Sequence, residues 1–203
     1  MNSFDKLIRH FERFPGIGSR QARRFAFHIL TQQHEHTEEL AELILTIRSK
    51  VAECVSCRRF FSKNGGTSGE CSICSNAIRD RSKLTIVERD NDIDAIERSG
   101  GYNGLYFVLG GTIPLLESRD TKKLRGNALK ALVESRKEIG EIILGFSVNP
   151  DGENTGRYVE MLLKDPVETG KIKISHLGRG LSTGSELEYA DPETIKNALI
   201  NRS

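Results

Sequence analysis

The sequence predicts an α/β fold in which a small helical module and a cysteine knuckle precede a mostly parallel sheet. Three observations carry that prediction. Apolar residues recur with helical period over residues 1–52. Two CxxC pairs follow within 53–76. From Leu84 onward, short apolar runs alternate with amphipathic stretches, the signature of strands joined by helical crossovers. At 203 residues, with 37% hydrophobic and 29% charged residues, the chain is long enough for one main core with small modules beside it.

Phe4, Leu7, Ile8 and Phe11 fall at i, i+3, i+4 and i+7, which predicts a first helix. Ala22, Phe25, Ala26, Ile29 and Leu30 repeat the pattern after Pro15-Gly16-Ile17-Gly18, so a second helix follows a glycine turn. A third is expected from Thr37 as N-cap, with Leu40, Leu43, Ile44, Ile47 and Val51 on one face, and the three are expected to share a small core. Strands are expected at 84–88, 105–111, 141–147 and 171–177, and helices at about 92–98, 120–138 and 155–164. In the middle helix Leu124, Ala128, Ala131 and Leu132 lie on one side. Asp191-Pro192 offers an acidic N-cap with proline at the first helical position, opening a terminal helix with Ile195, Ala198 and Leu199.

No apolar run approaches the roughly 20 residues needed to span a bilayer, and Met1–Asp5 lacks the pattern of a signal peptide, so a cytoplasmic protein without membrane association is expected. The net charge of +2 does not by itself indicate nucleic acid. Its distribution is uneven. Lys6, Arg9, Arg13, Arg20, Arg23 and Arg24 face only Asp5 and Glu12 in residues 1–30, whereas Glu88–Asp94 holds four acids and one arginine. His10, His28, His34 and His36 have no ligand-like spacing to the cysteines and are expected at the surface.

The cysteines are Cys54, Cys57, Cys71 and Cys74, two CxxC pairs separated by thirteen residues. Two residues between thiolates let one tight turn aim both sulfurs at one point, and two such turns complete a tetrahedral set suited to one structural Zn²⁺ per chain. With no position left for water, such a site contributes folding free energy to a segment too small and polar to hold itself. Two disulfides would need an oxidising compartment, and a redox site normally needs one CxxC.

Phe14-Pro15-Gly16-Ile17-Gly18-Ser19-Arg20-Gln21-Ala22 resembles the helix-hairpin-helix motif of DNA-repair proteins. Gly16 and Gly18 permit a turn that points N–H groups outward, and the next helix presents its positive end to the same spot, a cradle for phosphate. Arg20 and Arg24, four apart, can each reach a neighbouring phosphate without reading sequence. The same residues also describe an ordinary αα-hairpin with a solvated arginine face.

Leu84-Thr85-Ile86-Val87-Glu88 and Asn149-Pro150-Asp151 resemble the two acidic motifs of the Toprim domain, which hold Mg²⁺ for phosphoryl chemistry. Here an asparagine replaces the first aspartate of the second motif, so a site that relies on few carboxylates loses one anionic ligand. Glu88 and Asp151 are then either weak metal ligands or polar strand ends, and the second is favoured because such strand ends are common.

In order and length, a helix-hairpin-helix (1–52), a Cys₄ zinc finger (53–76), a Toprim domain (82–178) and a C-terminal segment with a helix (179–203) together resemble the bacterial RecR family. Arg79-Asp80-Arg81-Ser82, Ala95–Gly100, Gly104-Leu105-Tyr106, Val108–Gly111 and Leu187–Asp191 strengthen the likeness. Asn149–Tyr158 and the polar Lys63–Gly69 loop depart from it. The resemblance implies a recombination mediator and not an enzyme. It binds DNA (single-stranded, duplex or gapped) as a ring-like homotetramer, with an oligomer contact in the C-terminal segment. It works with RecO and RecF so that RecA replaces single-strand-binding protein (SSB). The rivals are a Mg²⁺-dependent Toprim nuclease or primase, disfavoured by Asn149, and a sequence-specific zinc regulator, disfavoured by arginines placed for phosphate rather than bases.

Overall fold

The computed structural model describes residues 1–63, 69–115, 121, 123–178, 181, 184 and 186–200, and the chain divides into two compact units, Met1–Val51 and Ala52–Ser203. The first is helical: α1 (Ser3–Glu12), α2 (Ser19–Thr31) and α3 (His34–Lys50). Asn2 caps α1 by accepting the Asp5 N–H at 2.8 Å. Ile8, Ala22 and Ala26 are buried where α1 meets α2, with Phe4, Leu7, Phe11 and Ile17 around them. The two alanines let the helices approach, and the larger rings close the sides, Phe4 against Phe27 and Phe11 against Phe25.

Two expectations change here. The third helix starts at His34, so Thr37 lies in its first turn, where its hydroxyl donates to the Gln33 carbonyl at 3.5 Å. That helix buries none of its residues, and Leu40, Leu43, Ile44 and Ile47 stay exposed. The small core therefore belongs to α1 and α2 alone. On α2, Phe25 and Leu30 are also exposed, because the contact with α1 is narrow enough for the alanines to fill it.

The second unit is built on a four-stranded sheet of β3 (Asp80–Val87), β4 (Gly104–Val108), β5 (Glu141–Gly145) and β6 (Lys173–His176). Its strand order is β4-β3-β5-β6, and every pair is parallel. The connections run through α4 (Asp90–Ser99), α5 (Gly126–Ser135), and α6 (Pro150–Leu162) with α7 (Lys164–Glu168). Alternation along β4 sorts its side chains to two cores. Leu105 and Phe107 join Leu84, Ile86, Ile142, Leu144, Leu129, Val133, Val159 and Leu163 on the α5/α6 face. Tyr106 and Val108 join Val87, Ile93 and the four cysteines on the other. Each buried large aliphatic or aromatic residue contributes about 1.5–3 kcal/mol by leaving water.

Of the expected elements in this unit, α5 and α6 shift most. The buried stripe of α5 is Leu129 and Val133, with Leu124, Ala128 and Leu132 beside it, while Ala131 faces solvent; the start expected near Asp120 lies outside the described residues. The sixth helix begins at Pro150, because Asn149 caps it by accepting the Gly152 N–H at 2.8 Å. A 3₁₀ turn at Leu187–Tyr189 leads to α8 (Pro192–Ile200), which Asp191 caps by accepting the Thr194 N–H at 2.9 Å, as its sequence predicts. No helix among the described residues is long and apolar enough to cross a membrane.

Candidate metal centre and nucleic-acid interface

β1 (Val51–Glu53) and β2 (Phe60–Ser62) form a short ribbon leading into and out of the first CxxC turn. The turn closes with the Arg58 N–H donating to the Cys54 carbonyl and the Cys54 N–H donating to the Arg59 carbonyl. Arg58 takes a left-handed backbone conformation, φ 65°, which is uncommon outside glycine. The four sulfurs all lie within 4.8 Å of one another, with Cys57 and Cys71 at 3.6 Å, and each cysteine is at most 1% exposed. Tetrahedral zinc thiolates, with Zn–S near 2.3 Å, place sulfurs about 3.8 Å apart, so these donors fit such an ion. The Cys71 N–H also donates to Cys54 Sγ at 3.3 Å.

Protonation in this cluster is strongly divided. Cys54 is pushed below the ordinary thiol range by hydrogen bonds from Cys57, then Cys71 and Cys74, while Cys74 is pushed above it by Cys54 first. Four crowded sulfurs cannot all ionise by themselves; a bound cation removes that conflict. Among the described residues, these cysteines are the one grouping of three or more candidate ligands.

The knuckle is fastened to the sheet as part of one core. Beyond the apolar contacts, the Val108 N–H donates to the Cys57 carbonyl at 2.8 Å, and Asp90 at the start of α4 accepts the Phe60 N–H at 2.6 Å. Arg125 reaches Glu53 at 2.9 Å and the Val108 carbonyl at 3.2 Å, and Arg136 donates to the Ser56 hydroxyl at 3.0 Å. Sequence inspection missed these pins, since partners up to 80 residues apart leave no local pattern.

The predicted phosphate cradle lies between α1 and α2. Gly16 has φ +76°, a left-handed conformation that requires glycine or strains another residue. Gly18 does not, at φ −84°; an added Cβ there would meet nothing within 4 Å, so glycine keeps the approach open and is not needed for the turn. Gly18 is also the N-cap of α2, with no side-chain cap and no acid in the first turn. The N–H groups of Gly18, Ser19, Arg20 and Gln21 therefore have no acceptor among the described residues. Arg20 and Arg24 are both exposed along the same helix. Bare amides at a positive helix end beside two arginines are groups chemically suited to an anion.

Glu88 and Asp151 each accept a loop N–H. Glu88 follows β3 and accepts the Ser147 N–H at 2.8 Å, and Asp151 in the first turn of α6 accepts the Leu115 N–H at 3.0 Å. Asn149 spends its side-chain oxygen on the helix cap. All three tie loops at the carboxyl ends of the sheet.

Family models match on three segments: the helix-hairpin-helix of RecR over residues 4–48, the Toprim domain over 82–177 and the RecR C-terminal region over 180–203. Nearly the whole chain aligns with the recombination protein RecR of several bacteria. It is 39% identical to that of Chloroflexus aggregans over 197 residues, covering 97% of this chain and 91% of the relative. The chain belongs to the RecR family. The RecR of Prochlorococcus marinus is 37% identical over 200 residues, covering 98% and 94%, and that of Lactobacillus delbrueckii is 32% identical over 198 residues, covering 98% and 95%. In this RecR-family chain the cradle falls inside the helix-hairpin-helix match, and Glu88 and Asp151 inside the Toprim match.

Proposed function

We propose that this RecR-family protein is a cytoplasmic recombination mediator in DNA repair that binds DNA without reading its sequence and catalyses no reaction on it. The observation that carries the reading is the bare N-terminus of α2, with its amides unpaired and Arg20 and Arg24 exposed beside it. One hairpin reaching two or three phosphates releases few counterions, so useful affinity requires several hairpins on one DNA. A homo-oligomer, taken as a ring of four with contacts in segment 179–203, supplies them, and the uncovered apolar residues of α3 favour association. Cys54, Cys57, Cys71 and Cys74 hold one structural Zn²⁺. On this reading the protein works with RecO and RecF so that RecA displaces SSB. Glu88 and Asp151 order the loops of a partner-binding surface, since each already receives a backbone N–H and Asn149 contributes no charge.

The test is Arg20→Ala/Arg24→Ala in the full chain. Both side chains are exposed, so the fold and the solution mass stay those of the parent. Affinity falls about equally for all sequences, and the salt dependence flattens by about one slope unit for each phosphate that the variant no longer neutralises. A folded variant that binds duplex and gapped DNA as tightly as the parent at moderate salt overturns the hairpin as the DNA site.

A further inference from the structure

A hairpin that holds only phosphates has no use for an aromatic ring at its mouth, yet Phe14 stands there 56% exposed. Its backbone is tied at both ends: its N–H donates to the Phe11 carbonyl at 3.0 Å, and its carbonyl accepts the Ile17 N–H at 3.1 Å. Pro15 stiffens the next residue. The Phe14 ring lies against Phe11, with centroids 6.1 Å apart and planes 29° from parallel, and Phe11 is braced edge-on by Phe25 at 5.8 Å and 78°. An open aromatic surface is thus held in place ahead of any ligand, in the same hairpin turn and four residues before the first unpaired amide of α2.

We propose that Phe14 is a stacking platform for an unpaired nucleobase, giving the hairpin a preference for single-stranded over fully paired DNA. The proposal rests on the hairpin being the DNA site, and its chemistry follows from two adjacent surfaces. A strand whose phosphate sits on the amides of Gly18–Gln21 passes the same hairpin turn that carries the Phe14 ring. Stacking on an aromatic face needs no particular base, so the binding stays sequence-tolerant. In duplex DNA both faces of each base are already covered by neighbours, and the ring has nothing to receive. Because Phe14 is already ordered, little side-chain freedom is given up on binding. Arg13 and Arg20, both exposed and close in sequence, add positive charge around the platform.

The chain contains no tryptophan, so Phe14→Trp installs a single indole, excited selectively at the red edge beyond the four tyrosines, at the proposed contact. Its fluorescence in the full-length protein is quenched by a single-stranded oligonucleotide and not by an abasic strand of the same length. Phe14→Leu keeps apolar packing on Phe11 without the aromatic face. It weakens single-strand binding about 5- to 160-fold, the range for loss of one base stack, and leaves abasic-strand affinity, duplex affinity and salt slope at parental values. Equal single-strand affinity in Phe14→Leu, or equal losses on all three ligands, overturns the platform. So does a tryptophan that is already shielded without DNA and unchanged by it, which would mean that protein covers the ring. Arg20→Ala/Arg24→Ala separates the two readings. If it weakens every ligand while Phe14→Leu changes none, only stacking fails; if it changes no ligand, the hairpin itself is not the site.

Discussion

The two units of the chain solve the same problem, burying apolar surface, to very different extents. In the second, a sheet covered on both faces gives two contiguous cores, one under α5 and α6 and the other shared by α4 and the cysteine knuckle. In the first, Ile8, Ala22 and Ala26 are the whole of the buried core, and a seventeen-residue helix contributes nothing to it. The second unit is therefore organised to hold geometry. The first is organised to present a surface: bare amides, arginines, exposed phenylalanines and an uncovered apolar helix face.

The largest effect expected from this contrast lies in the knuckle, because it is small yet closes one face of the larger core. Cys57→Ser removes a ligand of the proposed zinc site and loosens Val87, Tyr106 and Val108, which pack with the cysteines. The expected cost is on the order of 5 kcal/mol or more, with metal content falling in proportion. Chelation of the parent protein should produce the same loss of thermal stability. Parental stability in metal-free, reduced protein would separate the knuckle from the core.

Two glycines sharpen the comparison. In the second unit, a Cβ on Gly152 would lie 2.0 Å from the Ser147 carbonyl oxygen, a backbone atom fixed by the loop whose Ser147 N–H is held by Glu88. Gly152→Ala should cost about 3 kcal/mol, because that loop and the start of α6 must separate. In the first unit, Gly16 has open space around it, and only its φ of +76° resists a side chain. Gly16→Ala should cost about 1–2 kcal/mol of local strain. Urea unfolding of the full-length variants checks the order, and equal costs would remove the distinction between a packed and an open turn.

The sequence is informative wherever a feature is local. The CxxC spacing marks the four cysteines that the fold brings together, and apolar runs mark all four strands of the parallel sheet. The glycine turn and its arginines are visible because a hairpin is built from adjacent residues. Asn149-Pro150 is legible as well, but in two ways; it resembles part of a ligand motif, and the same pair is a strong helix start, which is what α6 uses. Periodicity names the apolar face of α3 without revealing that nothing in its own unit covers it, since a stripe specifies a surface and not a partner. It likewise places Ala131 where Leu129 packs, because small residues barely weight the pattern. The pins between knuckle and sheet, and Phe14 as an exposed ring, are illegible for a different reason. They depend on which distant residues meet, or fail to meet.

The smallest expected effect concerns a charge network at the edge of the second core. Arg79 donates to Glu97 on α4, with one bond at 2.8 Å, and the Tyr106 hydroxyl donates to the same carboxylate. The Arg79 guanidinium, then the Tyr106 hydroxyl, hold the Glu97 carboxyl below its ordinary value of 4.5, while partial burial opposes them. A group whose folded pKa lies below its unfolded one contributes stability that is fully present above the unfolded value and disappears as pH falls through the folded one. The network should therefore support the second unit at neutral pH and fade below about pH 4.5. Glu97→Gln keeps one acceptor oxygen, for the Tyr106 hydroxyl and one Arg79 nitrogen, and loses the charge and the second acceptor, so it should cost about 1 kcal/mol at pH 7. Parent and variant should converge in strong acid, where Glu97 is neutral in both states. Denaturation of both proteins between pH 7 and 3 decides the matter, and a stability difference that stays constant across the range would mean that Glu97 acts through shape and not through charge.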